Sequence, residues 1–166
     1  MAEVLRQITR IDIPTTLVGG ACLIGSYEAR KQDFWYKNVT KNVRRFDDAV
    51  LPIAVGIVGI IIRQPVLQKM LVLGFMVAIK DAYLEYYAKE PWVRANSETE
   101  LEMWNFDASS VVHVVIDGSE VTFSTAPTTD ANGYAKVTLP SAMAAGLHRV
   151  VVWTEGGKAW AGFVVV

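Results

Sequence analysis

The strongest constraint in this sequence is the run from Ala49 to Ile62, which contains no charged residue. A helix that is apolar on every side has to be buried in something larger than itself. Two similar runs flank it, because Ile13 to Tyr27 carries no charge and Val66 to Ile79 is interrupted only by Gln68 and Lys69. The N-terminal part of the chain is therefore predicted to form apolar helices.

The second and third apolar runs are separated by Arg63, Gln64 and Pro65. Proline suits the first turn of a new helix and disfavours continuation of the preceding one. Two arrangements follow, a helical hairpin with a polar tip or one long kinked helix with the polar cluster near its middle. A charge near the middle of a membrane costs about 3 kcal/mol, so the hairpin is the preferred prediction.

Aromatic residues flank the apolar runs, a pattern typical of segments that contact a membrane, where one end of each ring meets water. Each run is shorter than the roughly 20 residues that a straight helix needs to cross a bilayer. We nevertheless expect a transmembrane helix and contact with the lipid bilayer, with burial against neighbouring subunits as the other explanation. The predicted membrane-interface residues are Trp35, Tyr36, Tyr83, Tyr86, Tyr87 and Trp92. Basic residues placed for anionic headgroups are Arg30, Lys31, Lys37, Lys41, Arg44 and Arg45.

Small residues recur within the apolar runs, and Ala21-x-x-x-Gly25 has the spacing that lets two helix backbones approach closely. The sequence therefore predicts tight contacts between the helices. The predicted helix-packing residues are Gly20, Ala21, Gly25, Gly56 and Gly59.

The charge balance and the pattern of apolar residues both change near residue 96. Residues 1–95 carry 13 basic and 9 acidic residues, whereas residues 96–166 carry 3 basic and 8 acidic residues. Beyond the change, short alternating runs are broken by turn residues such as Asp117-Gly118 and Gly156-Gly157. We therefore predict an α+β chain of two parts, an apolar helical region at 1–95 and a β-sandwich at 96–166.

The C-terminal part reads as about six short strands. Val111 to Ile116 and Glu120 to Thr125 flank Asp117-Gly118, a strong signal for a hairpin. Val150 to Thr154 and Lys158 to Val166 form a second predicted hairpin. Short strands at this spacing indicate a sandwich of two sheets.

The segment Thr128 to Leu139 reads T-T-D-A-N-G-Y-A-K-V-T-L, and it is followed by Gly146 and the valine-rich run Val150 to Trp153. This pattern resembles bacterial immunoglobulin-like domains of the invasin and intimin type, over about residues 103–166. The resemblance implies a small immunoglobulin-like β-sandwich that serves as a spacer, adhesive module or appendage on surface or virion proteins. The N-terminal half resembles no family that we can name.

The sequence favours a structural role over catalysis. No glycine-rich phosphate loop and no common hydrolase or metalloprotease motif occurs, and the single cysteine, Cys22, excludes an internal disulfide and any cysteine-based zinc site. The two histidines, His113 and His148, are interpreted as ordinary strand residues. The net charge of −1 argues against binding of nucleic acid. We therefore predict no catalytic residues, no metal and no cofactor.

Two functions remain as hypotheses. The favoured one is a non-enzymatic structural subunit of a membrane-associated, virion or cell-surface assembly, with its helices anchored in membrane or in neighbouring subunits. Its β-sandwich would be displayed or packed laterally, and the chain would associate with itself or with other subunits. The alternative is an accessory scaffolding subunit of a multi-subunit membrane complex.

Overall fold

The computed structural model describes residues 13–166, apart from the side chain of Arg44. Helices come first along the chain and antiparallel strands follow, which confirms the α+β class. The first twelve residues of the predicted helical region lie outside the described residues.

Eight helical segments lie in the described part of the chain, and the three longest match the three apolar runs. The last of these three begins at Pro65, as expected for a residue that suits the first helical turn. In chain order the segments are α1 (Ile13–Ala29), α2 (Asp33–Trp35), a π-helical turn (Tyr36–Thr40), α3 (Lys41–Val43), a 3-10 turn (Arg44–Phe46), α4 (Asp47–Ile61), α5 (Pro65–Ala82) and a second π-helical turn (Tyr83–Tyr87).

The predicted transmembrane helix is wrong. Among residues 13–166, none of the helices combines the length and the apolar character needed to cross a membrane. Helix α4 has 15 residues, which is about 22 Å against a hydrocarbon core of about 30 Å. Helix α5 has 18 residues but includes Lys69, Lys80 and Asp81.

The described chain divides into two compact units. The helical unit consists of residues 13–28 and 46–79, and the β unit consists of residues 29–45 and 80–166. The β unit therefore includes helical residues that precede α4 in the sequence and helical residues that follow position 79. Residue 96, the predicted boundary, lies within the first strand of the β unit.

The β unit contains two antiparallel sheets with different strand orders. One sheet has three strands in the order β1-β2-β5, and the other has four strands in the order β4-β3-β6-β7. The strands are β1 (Trp92–Ser97), β2 (Glu100–Trp104), β3 (Val112–Ile116), β4 (Ser119–Glu120), β5 (Ala135–Thr138), β6 (Leu147–Thr154) and β7 (Ala159–Val165).

The two sheets share one hydrophobic core. Leu101 and Met103 of β2 and Val114 and Val152 of the other sheet are fully buried in it. The turn between β3 and β4 is the predicted Asp117-Gly118 turn, and both of its residues have positive φ, as a two-residue hairpin of this kind requires. Alternation along these strands thus places one set of side chains in the core.

The helical segment 29–45 belongs to the β unit because its side chains form hydrogen bonds with backbone groups at the outer edge of β1. The buried Tyr36 hydroxyl accepts a hydrogen bond of 2.8 Å from the backbone N–H of Ala95. Lys41 Nζ donates to the carbonyl of Asn96 at 2.8 Å. An exposed sheet edge invites pairing with other chains, and these contacts occupy part of the edge of β1.

Candidate interaction surface

Glycines line the contact between α4 and α5. A Cβ atom at Gly56 would lie 2.5 Å from both the backbone nitrogen and Cγ of Leu71, and one at Gly59 would lie 2.6 Å from the backbone nitrogen of Gln68. A Cβ atom at Gly74 would lie 2.5 Å from Ile53 Cγ1. The two helices approach so closely that no side chain fits at these positions.

Helix α1 contacts the other two helices through a different set of small residues. Its buried residues are Gly19, Cys22 and Ser26, and a Cβ atom at Gly19 would lie 3.1 Å from Leu73 Cδ2. Gly25 also faces a neighbour, with Leu51 Cδ2 at 3.0 Å from the position of a Cβ atom. The buried face of α1 is therefore spaced at residues 19, 22 and 26.

Of the five predicted helix-packing residues, Gly25, Gly56 and Gly59 lie at helix contacts. No atom lies within 4 Å of a Cβ atom at Gly20, and Ala21 is exposed. Sequence reasoning favoured the Ala21–Gly25 spacing and gave no packing role to Gly19 or Gly74. A helical period anchored on Gly19, Cys22 and Ser26 was the signal that could have found the buried face.

Large apolar side chains point outward from the helical unit. Ile61 is 73% exposed and Phe75 is 60% exposed. Side chains of the same kind, each at least 39% exposed, are Ile13, Leu17, Leu23, Ile24, Ile57, Val58, Ile60, Ile62, Val72, Met76 and Ile79. The surface that these residues form is named here the apolar surface of the helical unit.

The helical unit buries little apolar material of its own. Within its described residues, the buried hydrophobic side chains are Cys22, Ala49 and Met70, together with Pro52 and the contact glycines. Large residues outside and glycines inside is the reverse of the usual distribution in a small globular domain. Large exposed apolar patches are typical of interaction sites, so this surface is the candidate site.

The predicted membrane-interface residues fall into two groups, both in the β unit. Tyr36 is buried in the core, and Trp35 and Trp92 are half-buried. The guanidinium groups of Arg30 and Arg45 lie 5.4 and 5.5 Å from the centroid of the Trp92 ring. These contacts give Trp92 a structural role within the β unit.

The second group is a set of exposed tyrosines in the π-helical turn after α5. Tyr83 is 54% exposed, and Tyr86 and Tyr87 are more exposed still. The rings of Tyr83 and Tyr87 stack with centroids 5.1 Å apart. A role for these three residues at a membrane interface remains a prediction.

Two of the basic residues expected to face headgroups, Arg45 and Lys37, form ion pairs within the β unit. The buried Arg45 donates to the carbonyls of Glu90 and Pro91 at 2.8 and 3.1 Å, and its Nη1 lies 3.0 Å from a carboxylate oxygen of Glu90. Lys37 pairs with Asp33 at 2.8 Å. The predicted contribution of the Arg44 side chain lies outside the described residues.

The two histidines occupy separate places on the four-stranded sheet. The ring of His113 stacks on Trp153 with centroids 5.2 Å apart. His148 Nδ1 lies 2.6 Å from Asp117 Oδ2, and its Nε2 lies 2.7 Å from the carbonyl of Ala144. In the part of the chain that the structure describes, no group of three His, Cys, Asp or Glu residues could hold a metal ion.

Because both ring nitrogens of His148 face acceptors, this site favours the imidazolium, which donates from both nitrogens. The hydrogen bond to Asp117 is the main cause that raises the pKa of His148. The same bond is the main cause that lowers the pKa of Asp117. The pair ties the β3–β4 turn to the start of β6.

This pair predicts a pH dependence of stability. A raised folded-state pKa contributes stability that is complete below the unfolded value of about 6.5 and is lost as pH rises through the folded value. We therefore expect His148→Gln to lower Tm more at about pH 5.5 than at about pH 9, because only the protonated ring makes both bonds. Thermal unfolding at the two pH values measures the loss of Tm caused by His148→Gln. In an Asp117→Asn background, the difference between the losses at the two pH values should be smaller. Equal losses of Tm at both pH values would contradict the assignment.

Two comparisons with known proteins found no relative of this chain. No protein-family model matches the chain, and no curated protein matches it.

Proposed function

We propose that this protein is a non-enzymatic structural subunit of a larger assembly, in which the apolar surface of the helical unit is buried against neighbouring subunits. The observation that carries the proposal is the outward position of residues such as Ile61, Val72 and Phe75 in a unit whose inner contacts are made by glycines. The β unit is then displayed or packed laterally in the assembly.

The size of the apolar surface supports a permanent partner. Burying an aliphatic or aromatic side chain contributes about 1.5–3 kcal/mol, so completing the burial of a dozen half-exposed side chains contributes on the order of 10 kcal/mol. This is as large as the net stability of a typical domain. The figure is a gross burial term, from which the entropy cost of association is subtracted.

The turn between α4 and α5 favours protein neighbours over lipid. We interpret α4 and α5 as the expected apolar hairpin, with Arg63 and Gln64 at its tip and Lys69 one turn into α5, all exposed. A hairpin that entered a bilayer would carry these groups into the apolar layer, where a charge costs about 3 kcal/mol. Between protein subunits the tip can remain in water while the sides are buried.

We interpret the β unit as an immunoglobulin-like sandwich. The strand orders β1-β2-β5 and β4-β3-β6-β7 support this, because such sandwiches place the first, second and fifth strands in one sheet and the third, sixth and seventh in the other. The short strand β4 departs from the seven-stranded pattern, since it pairs with β3. Domains of this kind suit display on, or lateral packing within, an assembly. No chemistry is required of them for that role.

The test is the size of the full-length protein in solution. We expect the wild type to form oligomers in plain buffer and the double variant Val72→Glu/Phe75→Glu to shift to smaller species with its helix content retained, because two charges cannot be buried without partners. Gln64→Glu at the exposed turn serves as the control and should leave the size unchanged. Light scattering after gel filtration measures the mass, and circular dichroism measures the helix content.

Three results would overturn this proposal. A wild type that is a monodisperse monomer at high concentration would show that the apolar surface needs no partner. Single copies that float with liposomes would assign the surface to lipid. One copy beside larger partners in the native particle would favour the accessory scaffolding subunit.

A further inference from the structure

Helix α4 contains a proline at a position where the helix continues on both sides. Pro52 lies inside α4 (Asp47–Ile61) and is buried in the helical unit. Proline has no backbone N–H, so the carbonyl of Asp48, four residues earlier, loses the donor that it would have in a regular helix. Asp48 is half-buried, and a backbone acceptor away from water costs free energy unless another group donates to it. Pro52 therefore leaves an acceptor that a group outside α4 can satisfy.

The donor comes from α1. The buried Ser26 hydroxyl donates to the Asp48 carbonyl oxygen at 3.4 Å. Serine inside a helix often bonds the carbonyl of its own preceding turn, whereas this hydroxyl bonds a neighbouring helix. The distance is long for a hydroxyl donor, so the bond itself is weak. Its importance lies in the Asp48 carbonyl, which has no helical donor to replace Ser26 if that residue is changed.

The other contacts of α1 give little directionality. Its buried residues are Gly19, Cys22 and Ser26, which are all small. Leu17 and Ile24 are exposed, so burial of large side chains does not select this orientation of the helix. Hydrophobic burial is non-directional, whereas a buried polar contact can fix the register of two apolar helices. Ser26 is the polar member of the buried face of α1.

We propose that Ser26 is a positioning residue, whose hydrogen bond to the carbonyl left without a helical donor by Pro52 holds α1 in its orientation on α4. This orientation keeps Leu17 and Ile24 within the apolar surface of the helical unit. The proposal concerns how that surface is formed, and it does not depend on what covers the surface. The competing explanation is that Ser26 is buried only because it is small.

The natural thiol of Cys22 reports on the docking of α1. Cys22 is the single cysteine of the chain, and it lies about one turn before Ser26 on the same buried face of the helix. A buried thiol reacts with a soluble maleimide when the helix opens, so the labelling rate follows the population of the opened state. The experiment measures this rate on the full-length protein without denaturant.

Two replacements of similar size separate the hydroxyl of Ser26 from its packing. Ser26→Thr and Ser26→Val add nearly the same bulk, and of the two only threonine can donate to the Asp48 carbonyl. We expect the Cys22 thiol to be labelled about fivefold faster in Ser26→Val than in Ser26→Thr, as for the loss of one hydrogen bond. The matched control is Thr16→Val, which removes a hydroxyl from an exposed position of α1 and should leave the labelling rate within about twofold of the wild type.

Dependence on Pro52 tests whether the Asp48 carbonyl is the partner that matters. Pro52→Ala restores a backbone N–H that can donate to this carbonyl within α4. In the Pro52→Ala background, the difference in labelling rate between Ser26→Val and Ser26→Thr should fall below about twofold, because the carbonyl then has a helical donor. A role of Ser26 in packing alone would not change with this background. Circular dichroism checks that each variant keeps its helix content.

The hydroxyl assignment fails if Ser26→Val and Ser26→Thr are labelled at equal rates, and this comparison decides the point even if Pro52→Ala does not fold. A difference that persists undiminished in the Pro52→Ala background would refute the Asp48 carbonyl as the partner. These outcomes are separate from those of the proposed function. A monomeric wild type would overturn the proposed function and leave the meaning of the labelling rates unchanged.

Discussion

Replacing Gly59 with leucine is expected to abolish the packing of α4 on α5, whereas the same replacement at Gly20 is expected to be tolerated. At Gly59 the first added atom would lie 2.6 Å from the backbone of α5, and at Gly20 no atom lies within 4 Å of it. The clash at Gly59 is with backbone, so rotation of a side chain cannot relieve it.

The two variants separate packing from helix propensity. Leucine favours a helix over glycine by about 0.7 kcal/mol, so both changes stabilise the isolated helix to the same extent. Overpacking of a core costs about 1–3 kcal/mol, and contact with backbone costs more. We therefore expect Gly59→Leu to lower the free energy of unfolding of the helical unit by more than about 3 kcal/mol, and Gly20→Leu to leave it unchanged or raise it.

Hydrogen exchange in α4 and α5 of the full-length protein measures the difference. Gly59→Leu should lose protection in both helices, and Gly20→Leu should retain it. Equal protection in the two variants would show that the close contact between α4 and α5 does not hold the helical unit together.

The second large effect is expected from removal of the helical unit. A chain that joins residues 29–45 to residues 80–166 through a glycine–serine linker of about 12 residues, with a reach of roughly 20 Å, should fold as a soluble β protein. Arg45 contacts Glu85 and Glu90 across the join, so the two cut ends lie near each other. The joined chain keeps the whole core and loses the apolar surface.

The matched control is residues 97–166 alone. This fragment lacks most of β1, including the buried Val93 and Ala95, and it lacks Tyr36, which packs in the same core. Removing a buried aromatic side chain alone costs about 3–5 kcal/mol, which is close to the net stability of a small domain. We expect the fragment to be unfolded or aggregated.

Circular dichroism and thermal unfolding distinguish the two proteins. The joined chain should show a β-type spectrum and one cooperative transition, and the fragment should show neither. A fragment that unfolds cooperatively at the same temperature as the joined chain would show that residues 29–45 contribute nothing to the β unit.

The helices were predictable because their signal is local. The runs Ile13 to Tyr27, Ala49 to Ile62 and Val66 to Ile79 became α1, α4 and α5 with small changes at their ends, since uncharged runs ended by proline or charge define helices without reference to the rest of the chain. Strands β3, β6 and β7 could be predicted for a similar reason, because β-branched residues flank turns that are rich in glycine.

Strand β1 was not predicted because its sequence resembles a linker. Trp92 to Ser97 follows a proline and includes arginine, asparagine and serine, and its buried residues are only Val93 and Ala95. Tyr36 was interpreted as an interface residue because its partner, Ala95, lies 59 positions away. No local pattern reports a contact at that distance, so the extent of the β unit could not be read from the sequence.

Composition predicted apolar helices that need burial, whereas the particular contact residues depend on geometry. The absence of charge from Ala49 to Ile62 predicted a surface that needs a partner; Ile57 and Ile61 are exposed, and their burial against a partner stays a prediction. The rotation of each helix about its axis decides which glycines make the contacts. The spacing of residues in the sequence does not determine that rotation. That ambiguity explains why Gly20 was included and Gly74 was left out.

The β unit is built from two separate stretches of chain, so its parts leave the ribosome at different times. Tyr36 leaves the ribosome 129 residues before Val165 of the last strand, and at about 5–20 residues per second this delay is roughly 6–26 s. Helices α4 and α5 emerge within that interval, while the core that holds Tyr36 is still incomplete. The speed of translation therefore sets how long the apolar helices wait beside an unfinished β unit, and slow translation is expected to favour their premature association.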